Sequence, residues 1–100
     1  MCSGMARRKA TDAELDHLQA VKMRPCSRCG TRFPSDAHHV RLGTSYKNHW
    51  ATIPLCRPCH DYVGAHGKET HDLEERLLRE TLVDMYPGES LSKLLVRAGR

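Results

Sequence analysis

Apolar residues near the start of the chain predict its first helix. Three of them recur at helical spacing, namely Leu15, Leu18 and Val21. Thr11 and Glu14 have the spacing of a capping box, in which each side chain bonds the backbone amide of the other residue. The pattern therefore predicts a helix over residues 12–22.

The clearest helix lies in the second half of the chain, from Glu69 to Tyr86. Its apolar stripe is formed by Leu73, Leu77, Leu78, Leu82 and Val83. Pro87 and Gly88 end the helix, because proline cannot continue the hydrogen-bond pattern and glycine favours a turn. A short final helix is predicted from four further apolar residues, Leu91, Leu94, Leu95 and Val96.

The segment between these helices has the pattern of a hairpin followed by a short helix. Residues 37–42 and 50–55 are predicted strands, joined by a loop over 43–48. Pro58 can lie in the first turn of a short helix, which Gly64 is expected to weaken. The predicted class is therefore α+β, in the order helix, cysteine turn, hairpin, short helix, long helix.

Composition favours one small domain with a structural metal. The 100 residues include 5 aromatic side chains, so apolar bulk for a core is scarce. We predict a flexible basic tail over 1–10 and a single domain over 11–100, with its core in 26–66 and its C-terminal helices in 69–97. The net charge of +4 fits a nucleic-acid partner without establishing one.

The cysteines are expected to lie in a reducing compartment. No apolar run follows the basic N-terminal residues, and no stretch has the length of a membrane span, so neither export nor membrane insertion is predicted. A cytoplasmic location follows as an expectation. In that setting paired cysteines are typical of metal ligands rather than disulfides.

Four cysteines form two C-x-x-C pairs, Cys26 with Cys29 and Cys56 with Cys59. Each pair places two sulfurs on one tight turn, and two such turns complete a tetrahedral site, so we predict structural zinc on all four. Gly30 suits the left-handed turn after the first pair. Two alternatives are a redox pair and a site in which His60 replaces one cysteine.

Polar residues of another kind cluster between and after the cysteine pairs. They are His38, His39, Asn48, His49, His60 and His66. Singly, each histidine is more often an ordinary surface residue than a ligand. Together they match the needs of a metal-dependent phosphodiesterase, which requires a base that titrates near neutrality and ligands for a divalent ion.

Together these motifs resemble the HNH endonuclease family. The resemblance runs from the first C-x-x-C pair through Asp36-Ala37-His38-His39-Val40 and Asn48 to Pro54-Leu55-Cys56-Arg57-Pro58-Cys59-His60, and covers residues 26–66. It implies a zinc-braced, treble-clef-like ββα-metal (His-Me finger) domain with flanking helices. The chain is most similar to the small phage-associated branch, which implies the cytoplasm of a bacterium or of a phage-infected host.

The resemblance also implies roles for the histidines. His39 is the implied general base that activates water, and His38 is an implied ligand of a catalytic divalent ion (Mg²⁺, Mn²⁺, Ni²⁺ or Zn²⁺). His60 is a further implied ligand. His66 is a weaker one, because six residues from His60 exceed the spacing of neighbours on one helix face.

The middle position of the motif stays open between two residues. Asn48 is favoured to orient His39 through its side-chain carbonyl, although it lies farther from Cys56 than is usual in the family. His49 competes for this role. Asp36 is a candidate second partner of a histidine, although an acid before a strand is more often a solvated turn residue.

DNA is the expected partner, and Arg41, Lys47 and Arg57 are the expected phosphate contacts. Trp50 and Tyr62 are predicted to be core residues. The main alternative function is a non-catalytic zinc module that binds nucleic acid or a protein. A third hypothesis is a structural subunit that docks through its long helix. The sequence does not decide the oligomeric state, and a monomer is compatible with it.

Overall fold

The first helix, α1 (Asp12–Lys22), has the predicted bounds. In this computed structural model, which describes residues 10–32, 34–41 and 48–100, the capping box is formed. The buried face differs from the predicted one, since it consists of His17 and Val21, whereas Leu15 is 52% exposed. Helical spacing predicted the helix correctly, but its buried face contains His17 where a leucine was expected.

Two short antiparallel strands form the sheet, β1 (Asp36–His39) and β2 (Thr52–Leu55). Their register pairs His38 with Ile53 and His39 with Thr52. All four residues of β2 are buried, whereas those of β1 are partly exposed. Both strands are shorter than predicted, and the loop residues 43–47, with Leu42, lie outside the described residues.

Two helices follow β2 almost without interruption, α2 (Arg57–Ala65) and α3 (Gly67–Met85). Pro58 lies in the first turn of α2, as predicted. Gly64 does not end this helix, and His66 is the single residue between the two helices. Helix α3 therefore begins two residues before its predicted start at Glu69.

The core forms among β2, α2, α3 and the last helix, α4 (Leu91–Arg97), which packs against α3. Its largest fully buried side chains include Ile53, Leu55, Leu78, Leu82 and Leu94. Cys26 and Cys59 belong to the same cluster, so the cysteine site is continuous with the core. One predicted stripe residue, Val83, is 47% exposed, and the buried face of α3 instead includes Thr70, Glu74 and Thr81.

The described residues thus form a small α+β domain with a two-stranded antiparallel sheet and four helices. In these three ranges, no helix combines the length and apolar character needed to cross a membrane. The predicted basic tail over 1–10 lies outside the described residues except for Ala10.

Acid is expected to destabilise this fold through His17. Its Nδ1 lies 2.6 Å from the Tyr86 hydroxyl, its Nε2 is buried without a hydrogen bond among the described residues, and its ring packs on Trp50. Burial, helped by the nearby Arg97 charge, lowers the pKa of His17 from 6.5 to about 4. Above the unfolded-state pKa the residue is neutral in both states. Between pH 6.5 and about pH 4, only the unfolded chain gains the proton on acidification. About 2 kcal/mol of stability is therefore lost by about pH 5.

Urea unfolding of the wild type and of His17→Gln at about pH 7.5 and about pH 5 measures this loss. Because both proteins keep the four cysteines, the titration of those thiols cancels in the comparison. The variant is expected to lose less stability than the wild type on acidification. Equal losses would show that His17 does not gain its proton on unfolding.

Candidate functional site

The four predicted zinc ligands converge on one point. Their sulfur atoms all lie within 4.8 Å of one another, and all four residues are free thiols. Cys26 and Cys29 lie on a turn closed by a hydrogen bond from the Gly30 amide to the Cys26 carbonyl, with Gly30 at a φ of +81°. The other two lie at the start of α2, where Cys56 is the N-cap residue and Cys59 is in the first turn. A metal ion such as zinc fits this donor set and would join the turn to the helix.

The thiols differ in how readily they ionise. Hydrogen bonds, above all the one between Cys29 Sγ and Thr31 Oγ1 at 3.0 Å, lower the pKa of Cys29 to about 6. Burial raises the pKa of Cys59 to about 12. Since metal binding requires thiolates, loading of the site should release protons and weaken as the pH falls.

Arg28 places a positive charge beside the cysteine cluster. One of its guanidinium nitrogens lies 3.5 Å from Cys59 Sγ, and its carbon lies 4.4 Å from the centre of the Tyr62 ring. Tyr62 is 42% exposed, so its prediction as a core residue is wrong. Trp50, by contrast, does pack partly against the core.

His38 and His60 meet beside this cluster. His38 lies on β1 and His60 in the first turn of α2, and their ring centres are 5.1 Å apart in an edge-to-face arrangement. Helix α2, which carries Cys59 and His60 in its first turn, packs against both strands of the hairpin, and this packing brings the two rings together. Imidazole is a common ligand of divalent transition metals, so the pair offers two candidate donors.

A carboxylate holds His60 in place. Asp36 Oδ2 lies 2.9 Å from His60 Nδ1, and the Arg57 guanidinium approaches both residues. A carboxylate can only accept, so in the bond to Asp36 the proton is on His60 Nδ1, and this bond keeps the pKa of Asp36 below its ordinary value. Arg57 Nη2, 3.1 Å from the same nitrogen, then acts as a neighbouring charge and not as a donor to it. Asp36 is therefore a partner of a histidine rather than an isolated turn residue.

A second carboxylate, which the sequence analysis missed, contacts His38. Glu74 Oε1 on α3 lies 2.8 Å from His38 Nε2, and Glu74 Oε2 accepts a 2.8 Å hydrogen bond from Thr70. The Glu74 side chain is 8% exposed. A signal for it was present, because residues 70, 74, 77, 78 and 81 share one face of a helix.

His39 lies beside His49. His39 Nε2 is 3.0 Å from His49 Nδ1, and the two rings meet at 62°. Consecutive residues of a strand point to opposite faces, which explains why His38 contacts α2 and α3 while His39 contacts a different partner.

The observed partners of Asn48 and His66 differ from those that their predicted roles require. Asn48 donates to the Arg97 carbonyl and accepts from the Trp50 amide, so it ties the residues before β2 to α4, and neither of these bonds involves His39. His66 donates from Nδ1 to the Tyr62 carbonyl and stacks on the Tyr62 ring. Since α2 extends to Ala65, His66 follows the helix end and is not brought to the His38–His60 pair.

The predicted phosphate contacts are only partly described. Arg41 is exposed just beyond β1, and Lys47 lies outside the described residues. Arg57 forms ion pairs with Asp36 and Asp61. In the described ranges, the cysteine cluster is the only group of three or more potential ligand residues with all donor atoms within 4.8 Å.

Comparisons with family models, with curated proteins and with solved structures returned no match to this chain. The functional assignment therefore depends on the geometry of the site and on the sequence motifs.

Proposed function

We propose that this protein is a metal-dependent endonuclease of the HNH type that hydrolyses phosphodiester bonds in DNA. The four-cysteine cluster holds a structural zinc ion, and β1, β2 and α2 act as a ββα-metal element. This proposal joins the resemblance in the sequence to the grouping of the histidines in the structure.

The contact between His38 and His60 is the observation that carries the proposal. A purely structural zinc module needs only the cysteines. Here the helix that carries two of those cysteines also presents His60 to His38, with a carboxylate bonded to each ring. Metal-binding histidines in proteins usually have such a carboxylate or carbonyl partner.

Four histidines have roles in this proposal, two as metal ligands and two in the activation of water. His38 and His60 are the ligands of the catalytic divalent ion. When bound, that ion stabilises negative charge on the phosphate and on the leaving oxygen. His39 takes a proton from the attacking water, and His49 orients the His39 ring.

The DNA backbone is proposed to approach over the exposed basic residues near the hairpin. Arg41 and Arg57 are the described members of this group, and their side chains reach solvent. Contacts of this kind supply affinity without reading sequence, so cleavage should become weaker as salt concentration rises.

Incubation of supercoiled plasmid with the zinc-loaded protein tests the proposed function. Mg²⁺, Mn²⁺, Ni²⁺ and Zn²⁺ are added in separate reactions, with EDTA and zinc-loaded protein without added metal as controls. Conversion to nicked or linear plasmid with at least one ion, and none in EDTA, is expected. DNA binding without cleavage under every metal would instead favour a non-catalytic zinc module.

Alanine substitutions of Asn48 and His49, the two candidates for the middle position of the motif, should affect different properties. His49→Ala is expected to slow cleavage about ten- to 100-fold, because a hydrogen bond to a charged group contributes about 1.5–3 kcal/mol. Asn48→Ala is expected to lower stability by about 1–2 kcal/mol through its two lost bonds while keeping cleavage near the wild-type rate. Plasmid rates well below the melting temperatures, together with those temperatures, separate the two. The reverse result would restore Asn48 as the orienting residue.

A further inference from the structure

We infer that Glu74, on helix α3, is a positioning residue that fixes the ring orientation and tautomer of His38, so that His38 binds the divalent ion through Nδ1. The inference depends on the proposed function for its metal, but its first test does not depend on cleavage. It assigns α3 a part in the site, which otherwise consists of the hairpin and α2.

Both oxygens of Glu74 are held. Oε1 lies 2.8 Å from His38 Nε2, and Oε2 lies 2.8 Å from Thr70 Oγ1. The single proton of the Thr70 hydroxyl also has the His66 carbonyl within reach at 3.0 Å, and the closer, charged carboxylate is the stronger acceptor. Thr70 lies one helical turn earlier and is itself buried. The carboxylate therefore cannot turn away from His38 without losing its bond to Thr70.

A buried carboxylate at position 74 loses hydration free energy. Glu74 lies on the same face of α3 as Leu77 and Leu78, which are in the core. An apolar residue at 74 would pack this face without removing a charge from water, and that removal costs several kcal/mol per ion unless its partners compensate. The acid is thus better explained by what it does to His38 than by its effect on stability.

The direction of the hydrogen bond decides which nitrogen of His38 is available. An ionised carboxylate only accepts, so His38 donates from Nε2 and the lone pair lies on Nδ1. Within the described ranges, His38 Nδ1 has no hydrogen bond, and neither has His60 Nε2. Each ring thus has one nitrogen bonded to a carboxylate and the other available to a metal, which is the usual arrangement of metal-binding histidines.

Nitrogen NMR of the zinc-loaded protein, with no second metal added, gives the first test. Long-range proton–nitrogen correlations of neutral His38 should show the Nε2–H tautomer. Glu74→Leu should give a mixture of both tautomers, whereas Glu74→Gln should keep Nε2–H because its amide oxygen still accepts. Glu80→Gln, an exposed glutamate on the same helix, is the matched control.

The second test is a titration with Mn²⁺. The concentration of free Mn²⁺ is measured from its electron paramagnetic resonance signal. Mn²⁺ prefers oxygen and nitrogen ligands, so it should leave zinc on the thiolates. Glu74→Leu should weaken Mn²⁺ binding about ten- to 100-fold. Thr70→Val, which keeps the shape of the side chain and frees one carboxylate oxygen, should have a smaller effect in the same direction, and Glu80→Gln none.

The Nδ1–H tautomer of His38 in the wild type would overturn the inference, as would the absence of saturable Mn²⁺ binding. An unchanged Mn²⁺ affinity in a folded Glu74→Leu protein would also overturn it. If the tautomer and the Mn²⁺ results are as expected but no plasmid is cut, the proposed endonuclease activity fails and the role of Glu74 stands.

Discussion

Removal of the metal from the four-cysteine cluster is expected to unfold the protein. The cluster joins the turn at Cys26 and Cys29 to the start of α2, and its buried members belong to the core. Zinc binding contributes on the order of 10 kcal/mol in small zinc peptides, which equals or exceeds the whole stability of many small domains. A chain of 100 residues buries only a modest core, so the loss of a contribution of this size should leave the folded state unstable.

Cys59→Ser and treatment with a strong chelator should both produce this loss. Metal analysis should give one zinc per chain before treatment, and circular dichroism should show the loss of helical signal and of a cooperative melting transition afterwards. Cys2→Ser is the matched control, because Cys2 lies outside both C-x-x-C pairs. A zinc-free protein that melts at the wild-type temperature would show that the cluster is not structural.

Replacement of His39 by alanine is expected to reduce cleavage about 100- to 10,000-fold, the usual contribution of a positioned acid or base. The fold should survive, because His39 is only partly buried at the end of β1 and lies outside the core cluster. The effect should exceed that of His49→Ala, since His49 is proposed to act only through His39. Metal affinity should change little, because the proposed ligands are His38 and His60.

His71→Ala provides the control for a lost histidine. His71 is exposed on α3, and its charged neighbours Asp72 and Glu75 are both 3.9 Å away. Its loss should leave the rate within about twofold of wild type, as expected for a surface site distant from special features. A His39→Ala protein that cuts as fast as this control would remove His39 from the mechanism.

Local signals in the sequence located the elements well. The capping box at Thr11 and Glu14 placed both ends of α1, and proline at the first turn placed the start of α2, because these signals act through neighbouring backbone groups. The C-x-x-C pairs predicted the convergence of four sulfurs for the same reason. Each pair is a local turn, and only one long-range contact was needed.

Side-chain partners were harder to predict, since they depend on how the elements pack. Asn48 and His49 are adjacent in sequence, and the path of the chain into β2 decides that His49 contacts His39. In the sequence Glu74 is one of several charged residues of the long helix, and its contact with His38 depends on how α3 packs against β2 and α2. His17 was missed because an apolar count does not include a histidine, although His17 and Val21 share one helix face.

Plasmid cleavage by zinc-loaded wild type, His39→Ala and His71→Ala, in parallel with and without added Mn²⁺, tests the central proposal most directly. The account predicts Mn²⁺-dependent nicking by the wild type and His71→Ala at similar rates, and a rate at least about 100-fold lower for His39→Ala. No cleavage by the folded wild type with Mn²⁺ or with any of the other three ions, or equal cleavage by all three proteins, would contradict it.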